Sequence, residues 1–142
     1  VGRWRTREDV ALADCALEIE GADPADVFAT AAAALADLMA DPATVGRGLI
    51  RNVVLEAGGL DRLLFDWLDE LIYLKDHDGA IFPEAEVTIT GQGPVRLAAR
   101  LAGGPIEAGR TERRADPKAP TLHRLAVEPG PTGWRAHVVI DI

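Results

Sequence analysis

From Leu60 to Ile72 the apolar residues Leu60, Leu63, Leu64, Trp67, Leu68, Leu71 and Ile72 recur at steps of three and four. Asp61, Arg62, Asp66, Asp69 and Glu70 lie off that stripe. Only a helix gathers such positions onto one face, so the spacing predicts an amphipathic helix, broken near the turn dipeptide Asp78-Gly79. A second stripe, Val27, Phe28, Ala31, Leu35, Leu38 and Met39, predicts an earlier helix running to about Ala40. Asp23 caps it, Pro24 takes its first position and Asp26 its first turn, where a carboxylate meets the unpaired N–H groups.

Elsewhere the period shortens to two. Within residues 12–20, Cys15, Leu17 and Ile19 share one face, and Asp14, Ala16, Glu18 and Glu20 the other, as in a half-buried strand ended by Gly21. A strand over Ile50–Leu55 leads to the turn at Gly58-Gly59. Glu86–Thr90 and Val95–Leu101 alternate around Gly91–Pro94 and predict a hairpin. A loop rich in Gly, Pro and charge is expected over 102–117. Thr121–Val127 and Gly133–Asp141 then predict a last strand pair joined through Pro129-Gly130-Pro131. In the final strand Trp134, Ala136, Val138 and Ile140 face away from Arg135, His137, Val139 and Asp141. With no repeat and no linker, the reading is one α+β domain over 1–142, two helices packed on a largely antiparallel sheet.

Composition narrows the setting. At 142 residues and 48% hydrophobic, the chain can build a core without staples. A single cysteine, Cys15, excludes an internal disulfide framework and points to a reducing, cytoplasmic location. The charged opening Val1–Asp9 has no apolar stretch of the secretory kind, and no apolar run approaches the ~20 residues of a membrane span. The formal net charge is −8, whereas a protein that grips nucleic acid alone presents a basic face to the phosphates. The basic cluster from Arg110 to Arg114, with Lys118, falls in the Gly/Pro-rich loop and reads as solvated rather than as a phosphate patch. Tight direct binding of RNA is not expected.

Catalytic sets are missing. There is no serine, no nucleophile elbow, no phosphate loop and no Cys/His zinc pattern. Cys15, in phase with Leu17 and Ile19, reads as a core thiol rather than the partner of His77, His123 or His137. A free-standing enzyme is therefore not expected. Two carboxylates stand out, Asp14 at the start of the first strand and Asp141 near the end of the last. Exposed edge positions would account for them. So would a hard divalent cation held with nearby carbonyls, since a half-buried carboxylate is costly unless paired, hydrogen-bonded or metal-bound. Lys118 reads as a solvated loop lysine, and His123, in phase with Leu125 and Val127, as a packed histidine.

These segments resemble the archease family. Asp66-Trp-Leu-Asp-Glu-Leu-Ile-Tyr-Leu-Lys-Asp76, continued by Asp78-Gly-Ala-Ile-Phe82, is similar to its central helix signature. Ala13-Asp14 with Glu20-Gly21 resembles the amino-terminal motif, Lys118-Ala-Pro-Thr-Leu-His123 the Lys-Ala-x-Thr-x-His segment, and Val138-Val-Ile-Asp-Ile142 the carboxy-terminal motif. The resemblance implies an accessory protein of an RtcB-type RNA ligase in tRNA splicing and RNA repair, one that promotes GTP-dependent guanylylation and multiple turnover. The alternative function is a general chaperone or scaffold without a metal site. Carried over by motif, Asp14 and Asp141, with the main chain or terminal carboxylate at Ile142, would hold a divalent cation such as Ca²⁺, Mg²⁺ or Mn²⁺. Lys118 and His123 would serve activation of the partner. Two positions depart from the pattern: Ala11 stands where many members carry His, and Pro117 where a β-branched residue is usual.

Overall fold

The structure, a computed structural model, describes residues 2–7 and 14–142. Leu12 and Ala13, the expected start of the first alternating strand, and Ala11 lie outside the described residues. In chain order the elements are β1 (Arg3–Arg7), β2 (Asp14–Gly21), α1 (Pro24–Met39), β3 (Leu49–Ala57), α2 (Leu60–Asp78), β4 (Ala80–Thr90), β5 (Val95–Pro105), β6 (Ala119–Pro120), β7 (Ala126–Gly130) and β8 (Gly133–Asp141). A single turn of 3-10 helix, Pro42–Thr44, follows α1. This is the expected α+β fold, with two helices on antiparallel strands.

The strands form two sheets rather than one. β3, β5 and β4 make a three-stranded sheet in that order. In the other, β1, β2 and β8 lie side by side, and β6 and β7 pair with opposite ends of the far edge of β8. Among the described residues every strand pairing is antiparallel. α1 packs on β2 and β4, and α2 against β3, β4 and the β6–β7 edge, so the helices join the two sheets around one core.

Local chemistry explains both helices. The Asp23 side chain accepts the Asp26 N–H at 2.8 Å, and Pro24 opens α1 as its sequence position predicts. α2 ends at Gly79, whose φ of 62° lies in the left-handed region, and its N–H turns back onto the Leu74 and Lys75 carbonyls. Leu63, Leu64, Trp67, Leu68, Leu71 and Ile72 are buried, each fully covered side chain contributing about 1.5–3 kcal/mol. Trp67 also ties the helices together, its indole Nε1–H donating to the Phe28 carbonyl at 2.9 Å.

The strands differ more from expectation. β1 was not anticipated: Arg-Trp-Arg-Thr-Arg is exposed throughout and offers no buried face to read. β4 begins at Ala80, not Glu86, and absorbs Pro83 at a register shift between Ile81 and Glu84. β5 runs on to Pro105 because Gly103 lets the Ile81 carbonyl approach; a Cβ there would sit 2.0 Å from that oxygen. The expected strand Thr121–Val127 does not form. The chain pairs briefly at Ala119–Pro120, turns at His123-Arg124 with Arg124 at φ 52°, and resumes at Ala126. His123 is consequently exposed in a turn, not packed in phase with Leu125 and Val127.

Candidate functional site

Asp14 opens β2 and Asp141 closes β8. The antiparallel register sets the two opposite each other, so both side chains leave the same face of the sheet with Cβ atoms roughly 4.5–5.5 Å apart. Both are half-buried. That face is the outer one, because Leu17, Ile19, Val138 and Ile140 of alternate parity enter the core.

The rest of the outer face pairs its charges. Arg3, Glu20, Arg135 and Glu128 form one row across four strands with alternating signs. Within it the Arg3 Nε–H donates to Glu20 at 2.6 Å and the Arg135 Nε–H to Glu128 at 3.1 Å. In the next row Arg5 donates to Glu18 at 2.8 Å, and Glu18 stands opposite His137. Ala16 and Val139 follow, buried and apolar. The last row is Asp14, Asp141 and Ala119. Here two like charges are opposed beside an apolar pair. Directly opposed like charges destabilise a sheet, and this row is where the alternation of sign fails.

The backbone of Asp141 is gripped from both sides. β2 pairs with one edge, and on the other the Lys118 N–H donates to the Asp141 carbonyl at 2.8 Å. The Lys118 side chain is exposed and forms no ion pair among the described residues. Ile142 is half-buried against the core and can offer only main-chain oxygen. The geometry thus brings together Asp14, Asp141, the main chain at Ile142 and the backbone of Lys118. His123, in its exposed turn, is joined to them by no hydrogen bond.

Two carboxylates with adjacent carbonyls suit a hard, oxygen-seeking cation that fills its remaining positions with water. Among the described residues no third His, Cys, Asp or Glu joins them in a group that could hold a metal ion, so the remaining positions would fall to main-chain oxygens and water. Cys15 is buried on the inner face while His137 stands on the outer one, so the pair cannot make a thiolate nucleophile. A concavity of about 660 Å³ opens over the charged rows, lined by Arg3, Arg5, Glu18, Glu20, Arg135 and His137 among others, and neither aspartate lines it. The aspartate pair lies outside that concavity, at the end of the two inner strands of the sheet.

Lys75 was missed by the sequence reading. Its ammonium, 2% exposed, contacts Asp116, donates to the Pro117 carbonyl at 2.8 Å and lies 2.9 Å from Asp76. The signal was there: Lys75 falls in phase with Leu68, Leu71 and Ile72 on the buried stripe. The hydrogen bond from Lys75 holds the Asp116 carboxyl below the usual carboxylate range. Glu70 moves the other way, raised by burial and then by Asp69 and Asp78.

Comparison with known proteins places this arrangement in context. Residues 4–142 match the model of the archease protein family (MTH1598/TM1083). A protein archease of Archaeoglobus fulgidus is 36% identical over 132 residues, covering 92% of this chain and 93% of its own. One from Pyrococcus abyssi is 32% identical over 143 residues, covering 99% of each chain. Among solved structures, the solution structure of Methanobacterium thermoautotrophicum protein 1598 superposes with a TM-score of 0.78 at 27% identity, covering 99% of this chain and 98% of its own. The crystal structure of a Thermotoga maritima archease, described as a possible chaperone, shares the fold with a TM-score of 0.59 at 19% identity over 97% of this chain and 98% of its own.

Proposed function

The chain belongs to the archease family, and on that premise we propose that it activates an RtcB-type RNA ligase, promoting GTP-dependent guanylylation and multiple turnover in tRNA splicing and RNA repair. The observation that supports this reading is the Asp14–Asp141 pair, like charges opposed at the end of β2 and β8 while the charged rows further along these strands alternate in sign. Asp14 and Asp141, with main-chain oxygen at Ile142, would hold a divalent cation, Ca²⁺, Mg²⁺ or Mn²⁺. Bound there, the cation would supply positive charge of the kind that nucleotidyl transfer consumes as charge develops on phosphate oxygens. The chain's own part would be to present the two carboxylates, to keep Asp141 in place through the Lys118 N–H, and to add the exposed ammonium of Lys118 nearby. His123 would meet the ligase from its exposed turn. Chemistry would stay with the ligase, since no nucleophile stands beside the pair among the described residues.

The net charge of −8 supports a protein partner rather than RNA held directly. No helix among the described residues is long and apolar enough to cross a membrane. A general chaperone would instead use exposed apolar surface. Among the described residues the exposed large apolar side chains are Trp4 on β1, Ile50 and Val54 on β3, Tyr73 on α2 and Leu122 in the turn after β6, spread over four parts of the fold.

The test is guanylylation of a cognate RtcB-type ligase by GTP at limiting ligase, with the parent protein and with Asp14→Asn, Asp141→Asn and Lys118→Ala. The parent should raise multiple-turnover product, both aspartate variants should lose most of that effect, and Lys118→Ala should lose part of it. Equal single- and multiple-turnover rates with and without the parent would remove the activator reading.

A further inference from the structure

Lys75 is the one buried charged side chain among the described residues. Burying an ammonium costs several kcal/mol unless each N–H finds a partner, and a Met of similar shape would fill the space without that cost. Packing alone therefore does not explain a lysine here. It donates to Asp116 and to the Pro117 carbonyl, both on the segment leading to Lys118, and Asp76 on its own helix lies 2.9 Å away as a further counter-charge.

That segment is a strap. Its first part is tied to the end of α1, where the Arg114 and Ala115 N–H groups donate to the Met39 and Leu38 carbonyls, each at 2.9 Å. Its last part is β6, only Ala119–Pro120, held to β8 by the Lys118 N–H on the Asp141 carbonyl and the Thr121 N–H on the Val139 carbonyl, both at 2.8 Å. Pro120 has no N–H to give, and two residues are too few to fix a strand by themselves. Between these anchors stands Lys75. Pro117 serves there through its carbonyl alone, so the proline at this departure from the family pattern sacrifices no donor.

We propose that Lys75 is a positioning residue for the aspartate pair: by clamping Asp116 and Pro117 it sets Lys118 and Ala119 against Asp141. The proposal rests on reading Asp14 and Asp141 as the functional pair. Lys75 touches neither carboxylate; it acts through the strap. Without its charge, the Lys118 N–H leaves the Asp141 carbonyl, and the last residue of β8 keeps only its β2 neighbour.

The experiment compares the parent chain with Lys75→Met and Asp116→Ala by amide hydrogen exchange and by calorimetric titration with Mn²⁺. In Lys75→Met the Lys118 and Thr121 amides should exchange about tenfold faster or more, while amides within the β2–β8 pairing, such as Leu17 and Val138, keep their protection. Mn²⁺ affinity should fall several-fold in parallel. Asp116→Ala, altering a carboxylate that is 71% exposed, should shift the same amides in the same direction by less. Unchanged Lys118 and Thr121 exchange overturns the proposal, as does equal acceleration along all of β8, which is loss of packing only. So does faster strap exchange with undiminished Mn²⁺ affinity. If Lys75→Met does not fold, Asp116→Ala decides by the same two amides. If the parent binds no Mn²⁺, the metal reading of the aspartates fails, while the exchange rates still decide whether Lys75 holds the strap.

Discussion

Replacing Asp14 with Asn should change the sign of its effect on stability according to whether a divalent cation is present. With the two Cβ atoms roughly 4.5–5.5 Å apart, carboxylates at about 5 Å repel by roughly 0.8 kcal/mol in a water-like medium and about 3 kcal/mol at an effective dielectric near 20. Both groups are half-buried, so solvent screens the pair and the lower end applies. Asn keeps the size and hydrogen-bonding reach of Asp and opens no cavity. In metal-free buffer Asp14→Asn should therefore gain about 0.5–1 kcal/mol over the parent. In saturating Mn²⁺ the order reverses: a parent bound at a hundred times its Kd gains about 2.7 kcal/mol that the variant forgoes. Urea unfolding followed by Trp fluorescence, with chelator and then with Mn²⁺, measures both. Asp141→Asn should behave alike, and the double variant should gain little more than either single one, since one repulsion is removed only once. The reasoning is refuted if both single variants are less stable than the parent in chelator, or if Mn²⁺ stabilises parent and variants equally.

Two further outcomes follow from the core and from the acidic face of α2. Trp67→Phe removes the indole donor to the Phe28 carbonyl along with buried volume, and should cost about 2–4 kcal/mol in urea unfolding without loss of the folded baseline. Glu70 has its carboxyl raised above 4.5 in the folded protein by burial and by Asp69 and Asp78, so the folded state holds that proton more tightly than the unfolded chain. Its contribution is then greatest in acid and is lost as pH rises from about 4.5 through the raised value. Glu70→Gln should accordingly be more stable than the parent at neutral pH and lose that advantage below pH 4.5, as melting temperatures across this window will show.

The helices were legible because their signals are local. A stripe with a period of 3.6, Asp23 and Pro24 at one start and Gly79 at one end are choices the chain makes within a few residues. Strand partners are not local choices. Nothing in β3 or β5 says that they pair with each other rather than with β8, so one expected sheet became two. β1 escaped because an edge strand with every residue exposed has no hydrophobic face to betray its period. The false strand Thr121–Val127 came from alternation that continues across a turn. Leu122 has the right type and parity, yet it is 63% exposed where the chain leaves β8 before Arg124.

The site shows the same division between what pattern fixes and what pairing fixes. Buried Leu17 and Ile19 on one strand and Val138 and Ile140 on the other set which face each aspartate occupies, because a one-residue slip would turn the core outward. Parity thus places Asp14 and Asp141 on a common face from sequence alone. It does not make them neighbours. A slip of two residues would preserve every buried face and set Asp14 opposite Val139 instead. Charge alone does not select among such registers: the observed one matches Glu20 with Arg135 and Glu18 with His137, yet the shift that sets Asp14 opposite Val139 would set Glu18 opposite Arg135, also a complementary pair. At the far end of β2 and β8 from the aspartates, Gly133 lies so close to Gly21 that a Cβ would sit 2.5 Å from the Gly21 carbonyl, a backbone approach that belongs to the observed register. An opposed carboxylate pair can persist in a sheet on those terms. Its repulsion, on the order of 1 kcal/mol, is small beside the burial of the inner faces of the same two strands.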